Sequence, residues 1–221
     1  MNELKSVNLF DFDKTIAKGL FETKEYPWEL LPLISDYIKE LGGTLPEEKF
    51  EKISDDVWVA RSAKIAPSAA LNGPLIIDED AEVRHCAFIR GNAIVGKGAV
   101  VGNSTELKNC ILFDSVQVPH YNYVGDSIYG YKAHTGAGVI ASNLKSDKSL
   151  VTVNFRGEKV ATGVKKFGAM IGDFGDIGCN SVLNPGSVIG RRSNVYPLSF
   201  VRGYVEEDSI YKKQGEVVKK R

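Results

Sequence analysis

From Val59 onward an aliphatic residue returns at every sixth position: Val59, Ile65, Leu71, Ile77, Val83, Ile89, Val95, Val101 and Leu107, with Phe113 closing the run. A second run keeps the same spacing through Ile171, Ile177, Leu183, Ile189, Val195 and Val201. An α-helix repeats its faces every 3.6 residues and a half-buried strand every second residue, so neither yields a strict six. Four places after most of these aliphatics stands a small residue, as at Ala63, Ala69, Ala81, Ala87, Ala93, Ala99 and Thr105, then Ser181, Ser187, Ser193 and Ser199. This hexapeptide repeat predicts an all-β chain wound as a parallel β-helix, three sides to a triangular coil of about 18 residues. Inward aliphatics stack in columns, the small residue lets each corner close, and successive coils lie at the sheet spacing of roughly 4.8 Å.

Composition narrows the function classes. Lys plus Arg and Asp plus Glu both number 28, a balance that argues against a nucleic-acid or membrane-surface partner. The three cysteines, Cys86, Cys110 and Cys179, form no closely spaced metal-binding pair, and their odd number fits a reducing compartment. No apolar stretch approaches the roughly 20 residues of a membrane span, and the first residues, MNELKSVNLF, do not read as a secretory signal. A soluble, cytoplasmic protein is expected.

Along the chain, residues 1–52 read as a leader, 53–205 as the β-helix and 206–221 as a charged cap. In the leader, Pro27 followed by WELLPLISDYIKELGG predicts a short amphipathic helix stopped by Gly42 and Gly43, with Pro32 blurring its start. The repeat weakens after Phe113, is partly restored at Tyr129 and Thr135, and is abandoned over 143–167. Within that excursion SLVTVNFRGEKVAT predicts a β-hairpin turning at Arg156-Gly157. Insertions at solenoid corners commonly build the binding face. This one carries Lys145, Lys148, Arg156, Lys159, Lys165 and Lys166, either a solvated surface or a basic rim for a phosphorylated ligand.

The 18-residue coil also places side chains. Arg90 and Lys108 are one coil apart and share a corner position. Two cations about 5 Å apart repel by roughly 1–3 kcal/mol, so either an anion such as a sugar phosphate bridges them or Glu106 or another carboxylate neutralises them. His120 follows Pro119 where the repeat breaks, between Tyr121 and Tyr123, and its imidazole titrates near neutral pH as a general base requires. Glu106, less than one coil earlier, could orient it; Tyr123 and Asn143 add uncharged hydrogen-bonding groups.

The segment VGNSTELKNCILFDSVQVPHYNYVGD, followed by GAGVIASN, resembles the acetyltransferase half of the bifunctional glucosamine-1-phosphate acetyltransferase/N-acetylglucosamine-1-phosphate uridylyltransferases and their archaeal relatives. The resemblance runs from about residue 26 to 211 and includes GVKKFGAMIGD. It implies a left-handed coil, an exception to the usual right-handed crossover, and a homotrimer whose clefts lie between parallel prisms. It implies acetyl-CoA as co-substrate, an amino-sugar phosphate as acceptor, and no metal. On the matching positions His120 would take the proton from the sugar amine, Glu106 would support it, and Asn143 would stand at the acetyl-transfer centre. Arg90 and Lys108 would hold the sugar phosphate and Tyr123 would contact the substrate, while Ala137 and Cys179 would line the acetyl-CoA groove, Cys179 in place of a serine. His134 stands where the family carries a substrate-binding asparagine, and Ser149 and Thr152 occupy places of family lysines, with Lys148 one residue off. The family's nucleotidyltransferase domain has no counterpart here, so uridylyl transfer is not expected of this chain.

Rival readings remain. LFDFDKTIA, with Asp11 and Asp13, imitates a haloacid-dehalogenase nucleophile motif, but that chemistry needs a doubly wound α/β sheet; an acidic turn is the plainer reading. His85, His120 and His134 invite comparison with γ-class carbonic anhydrases, though without that family's close final histidine pair. The third is a trimeric scaffold that binds a sugar phosphate without turning it over.

Overall fold

The computed structural model describes residues 1–213 and 216–220. From Val57 to Lys213 the chain is a three-sided parallel β-helix. The first side stacks strands at Val57–Ala60, Leu75–Ile77, Ala93–Val95, Ala169–Ile171, Ser187–Ile189 and Tyr204–Val205. The second stacks Lys64–Ile65, Glu82–Val83, Val100–Asn103, Gln117–His120, His134–Thr135, Asp176–Ile177, Asn194–Val195 and Ser209–Lys213. The third stacks Ala70–Leu71, Phe88–Ile89, Ile140–Ala141, Val182–Leu183 and Phe200–Val201. Two long strands, Glu106–Leu112 and Tyr123–Tyr129, run through the corner between the third and first sides and so belong to both.

The predicted columns form. On the first side Ile77, Val95, Leu112, Tyr129, Ile171 and Ile189 pair rung to rung, all buried. Phe113 does not close the run as the periodicity suggested; Leu112 takes its place. Because Glu106–Leu112 continues straight through the corner, that rung is one residue shorter: Phe88 pairs with Glu106, but Glu106 pairs with Tyr123. Phe113 instead faces the leader, its ring 5.2 Å from Phe10 and 5.0 Å from Phe21.

The leader covers most of an apolar ladder on the outside of the first side. Trp58, Ile76, Ile94, Ile111, Ile128, Met170 and Val188 pair along successive rungs and alternate with the inward columns, so they point away from the prism. All are buried; a 3₁₀ helix at Pro27–Leu33 and an α-helix at Ile34–Gly42 pack over the stretch from Trp58 to Ile128, and the hairpin strand Thr152–Phe155 packs on the strand of Val188. The predicted single helix is divided: Pro32 has no N–H to close an α-turn, and the α-helix starts two residues later. Tyr26, Trp28 and Phe167 stack, at 4.8 and 5.8 Å between successive rings. The LFDFDKTIA segment forms the acidic turn: Asp11 caps a 3₁₀ helix at Phe12–Lys14, and Asp13 pairs with Lys18 at 2.6 Å.

The excursion leaves the corner between the third and first sides after Ser142 and returns at Gly168. Its neck is pinned by a bridge between Leu144 and Lys166 and by Phe167 N–H donating to Asn143 O at 2.9 Å. Beyond it lies the predicted hairpin, Thr152–Phe155 against Glu158–Ala161, turning at Arg156 and Gly157 with φ of 50° and 90°. The charged tail extends the second side, Ser209–Lys213 pairing parallel with Asn194–Val195, and Glu216–Lys219 folds back antiparallel on it.

Candidate functional site

The third side is a flat wall bearing two outward columns. Phe88, Glu106, Tyr123 and Ile140 are in register. Two residues further along the same strands run Arg90, Lys108, Gly125 and Ser142, with Lys108 paired to Gly125. Arg90 and Lys108 therefore do share a position on successive rungs. Gly125 is the gap in this second column: a Cβ there would stand 2.5 Å from the Tyr123 hydroxyl, which leans into the vacated place.

Neither cation is bare. Arg90 Nη1 donates to Glu106 Oε1 at 2.8 Å, and this contact raises the guanidinium pKa. Lys108 Nζ lies 2.9 Å from Asp126 Oδ2. The neutralising carboxylates, one of the two alternatives open in the sequence, are thus present. The expected support of His120 by Glu106 is not made in this structure. Glu106 points out of the wall beside Arg90, whereas His120 belongs to the corner before the wall begins.

Asp126 is the hub that sequence reasoning overlooked. Its side chain is only 6% exposed, yet it accepts from Lys108, from Asn109 Nδ2 at 2.9 Å and from Asn143 Nδ2. Asn143 Nδ2 also donates to the Tyr123 hydroxyl at 3.2 Å, so Lys108, Asp126, Asn143 and Tyr123 form one connected network. Burial, then the nearby Asp126 charge, raises the Tyr123 phenol pKa and keeps it a neutral donor and acceptor. Asp126 ends the YVGD stretch, and its left-handed backbone, φ 48°, turns the carboxylate back toward the wall. Asn109, Asp126, Lys165 and Lys166 border a cavity of about 370 Å³ between the wall and the leader. Lys165 and Lys166 reach it because the neck of the excursion closes on itself. They supply cations near the wall where the early-loop positions Ser149 and Thr152 do not.

His120 sits at the opposite edge of the wall, exposed, on the corner between the second and third sides. A ladder of corner hydrogen bonds aligns this edge: Tyr121 N–H to Asn103 O, Gly138 N–H to His120 O, Asn180 N–H to Ala137 O and Leu198 N–H to Cys179 O. His120, Ala137 and Cys179 consequently lie in one column, about 4.8 Å per rung. The close approach of rungs here requires Gly102, where any Cβ would collide with the Pro119 backbone. His120 N–H donates to Asn122 Oδ1 at 3.2 Å, and buried Asn122 is itself tied to Gly136 O at 2.8 Å, fixing the backbone that presents the imidazole. His134 lies outside this column, on the outer surface of the second side. Its Nδ1 is 2.8 Å from Asp176 Oδ1, and that hydrogen bond lowers the Asp176 pKa. His85 meets Ser68 Oγ at 3.1 Å. Among the described residues no group of three or more His, Cys, Asp or Glu side chains is placed to hold a metal ion. Among the same residues no helix is long and apolar enough to cross a membrane.

The profile described as the GMPPB C-terminal domain matches residues 71–206. The chain belongs to that family. The "Bifunctional protein GlmU" of Methanococcus maripaludis is 33% identical over 92% of this chain and 50% of its own length. The "Bifunctional sugar-1-phosphate nucleotidylyltransferase/acetyltransferase" of Sulfurisphaera tokodaii is 30% identical over 71% of this chain and 43% of its own. The resemblance carried by the PHYNYVGD and GAGVIASN stretches is thus found across most of the sequence. The chain spans about half the length of the curated relatives it matches. Among solved structures, the acetyltransferase domain of PglB from Neisseria gonorrhoeae in complex with acetyl coenzyme A covers 74% of this chain and 57% of its own, at 12% identity and a TM-score of 0.35.

Proposed function

We propose that this chain is an acetyl-CoA-dependent N-acetyltransferase whose acceptor is the amine of a hexosamine 1-phosphate or a related nucleotide-linked amino sugar, working as a homotrimer. The observation that carries the reading is the Lys108–Asp126–Asn143–Tyr123 network on a wall whose opposite edge presents an exposed histidine. Small side chains at Ala137 and Cys179 leave the corner above that histidine open to the arm of a thioester. On this reading the amine nitrogen attacks the thioester carbonyl carbon, the carbon–sulfur bond breaks, and the amide and free CoA thiol result. His120 removes the proton from the attacking nitrogen and returns it to the leaving thiolate, a role worth about 10²–10⁴ in rate. Lys108, with Lys165 and Lys166 across the adjacent cavity, attracts the sugar phosphate, and fixing the amine against the thioester supplies the remaining acceleration. Arg90 joins when an anion displaces Glu106 from it.

A non-catalytic sugar-phosphate scaffold is the second reading, favoured by the carboxylates that already hold Arg90 and Lys108. One experiment separates them: thiol release from acetyl-CoA across a panel of amino-sugar 1-phosphates and nucleotide-linked amino sugars. The enzyme reading expects release with at least one acceptor. Release with none, by protein that still binds a sugar phosphate, leaves the scaffold.

A further inference from the structure

The second outward column of the third side does not end at Ser142. The inward residues Leu107, Val124, Ala141, Leu183 and Val201 are paired rung to rung, so the residues after them, Lys108, Gly125, Ser142, Asn184 and Arg202, form one continuous line. The excursion arches over the far half of this line. Between them lies a cavity of about 590 Å³, floored by Ser142, Asn184 and Arg202 and walled by Lys145, Asn154 and Lys159. That volume lies within the usual range for small-molecule sites.

Its chemistry is that of an anion site with room for more than the anion. Asp147 is the only carboxylate among the described residues that line it, and Lys145 Nζ stands 3.5 Å from that carboxylate. Among the described residues neither Lys159 nor Arg202 is ion-paired; the Arg202 guanidinium rests on the Phe200 ring, 5.8 Å from its centroid. Two cations from separate elements therefore face one space whose carboxylate, Asp147, is paired with Lys145 and not with them. The Asn184 amide donates to Val201 O at 2.8 Å, leaving its carbonyl oxygen as an acceptor, while Leu144 and Pro185 add apolar surface. A lone phosphate would leave most of this lining unused.

We propose that this cavity is a subsite for a nucleoside diphosphate moiety, the two phosphates lying on Arg202 and Lys159 and the base against Leu144 and Pro185. The inference rests on the transferase reading only for its place in the reaction: Ser142 adjoins Asn143, so a ligand seated here runs along the column toward Lys108. Both a nucleotide-linked sugar and coenzyme A carry such a moiety.

The test is calorimetric titration of the full chain with UDP, with CoA and with glucosamine 1-phosphate, for the wild type, Arg202→Gln, Lys159→Gln and the double variant. Both positions are exposed, so the fold tolerates the changes. The subsite predicts that UDP or CoA binds and that each substitution weakens it about tenfold, whereas glucosamine 1-phosphate is unaffected. Weakening of UDP assigns the cavity to the acceptor, and weakening of CoA assigns it to the donor. Unchanged affinity in the double variant, or no binding of either nucleotide, overturns the subsite. Acetyl transfer is read separately: transfer without cavity binding removes the subsite alone, and cavity binding without transfer removes the enzyme reading alone.

Discussion

At the scale of single residues, charge placement is governed by which way a side chain leaves its strand. Glu106 and Lys108 both leave the third side outward, and each carboxylate–cation contact on that wall joins neighbouring rungs. Arg90 and Lys108 were legible because the coil length alone fixes their alignment. Asp126 was not, because its importance comes from a left-handed backbone that a periodicity does not report. The return of Lys165 and Lys166 was equally hidden, since it depends on the closed neck of the excursion. A different aspartate gives a pH test. Asp78 is buried on the corner between the first and second sides, and desolvation raises its pKa to about 6 from 3.8. Asp114 and Glu79 add to that shift, while the Glu79 backbone N–H and Lys97 oppose it. The folded state thus binds the Asp78 proton more tightly than the unfolded state. The associated stability is fully present below pH 3.8 and is lost as pH rises toward 6, in all on the order of 3 kcal/mol. Asp78→Asn should therefore raise the melting temperature at pH 7 relative to wild type, with the difference vanishing near pH 4. A difference that is constant with pH would show that Asp78 titrates normally.

At the scale of elements, the hexapeptide columns were readable because each rung repeats one inward contact. The outward ladder of Trp58, Ile76, Ile94, Ile111, Ile128, Met170 and Val188 carried its own signal: an apolar residue beside an inward one on a two-faced strand needs a cover. The leader supplies most of that cover, which explains an otherwise unrepeating segment. Trp28, 2% exposed and stacked between Tyr26 and Phe167, is its anchor. Trp28→Ala should cost about 3–5 kcal/mol of stability, measurable by denaturant unfolding. A loss below 1 kcal/mol would mean that the leader contributes little to the fold. The one-residue slip that moved Phe113 from the prism to the leader could not be read from spacing, because the period does not reveal a strand running through a corner.

At the scale of the whole molecule, the proposed homotrimer needs a face on which copies meet. Phe88, Ile140 and Phe200 stand 40–47% exposed along the third side, and Leu198, at the corner, is 79% exposed. Exposed apolar surface gathered on one face commonly marks an interface. Light scattering should give about three times the 24.2 kDa chain mass; a monomer mass would remove the trimer from the account. In the proposed transfer the imidazole at the edge of the wall moves the proton. The most direct test of that role is the rate of CoA release by His120→Ala against wild type, with the best acceptor of the panel and with acceptor binding measured alongside. A fall of about 10²–10⁴ is expected, with acceptor affinity retained. A variant that releases CoA at the wild-type rate would contradict it.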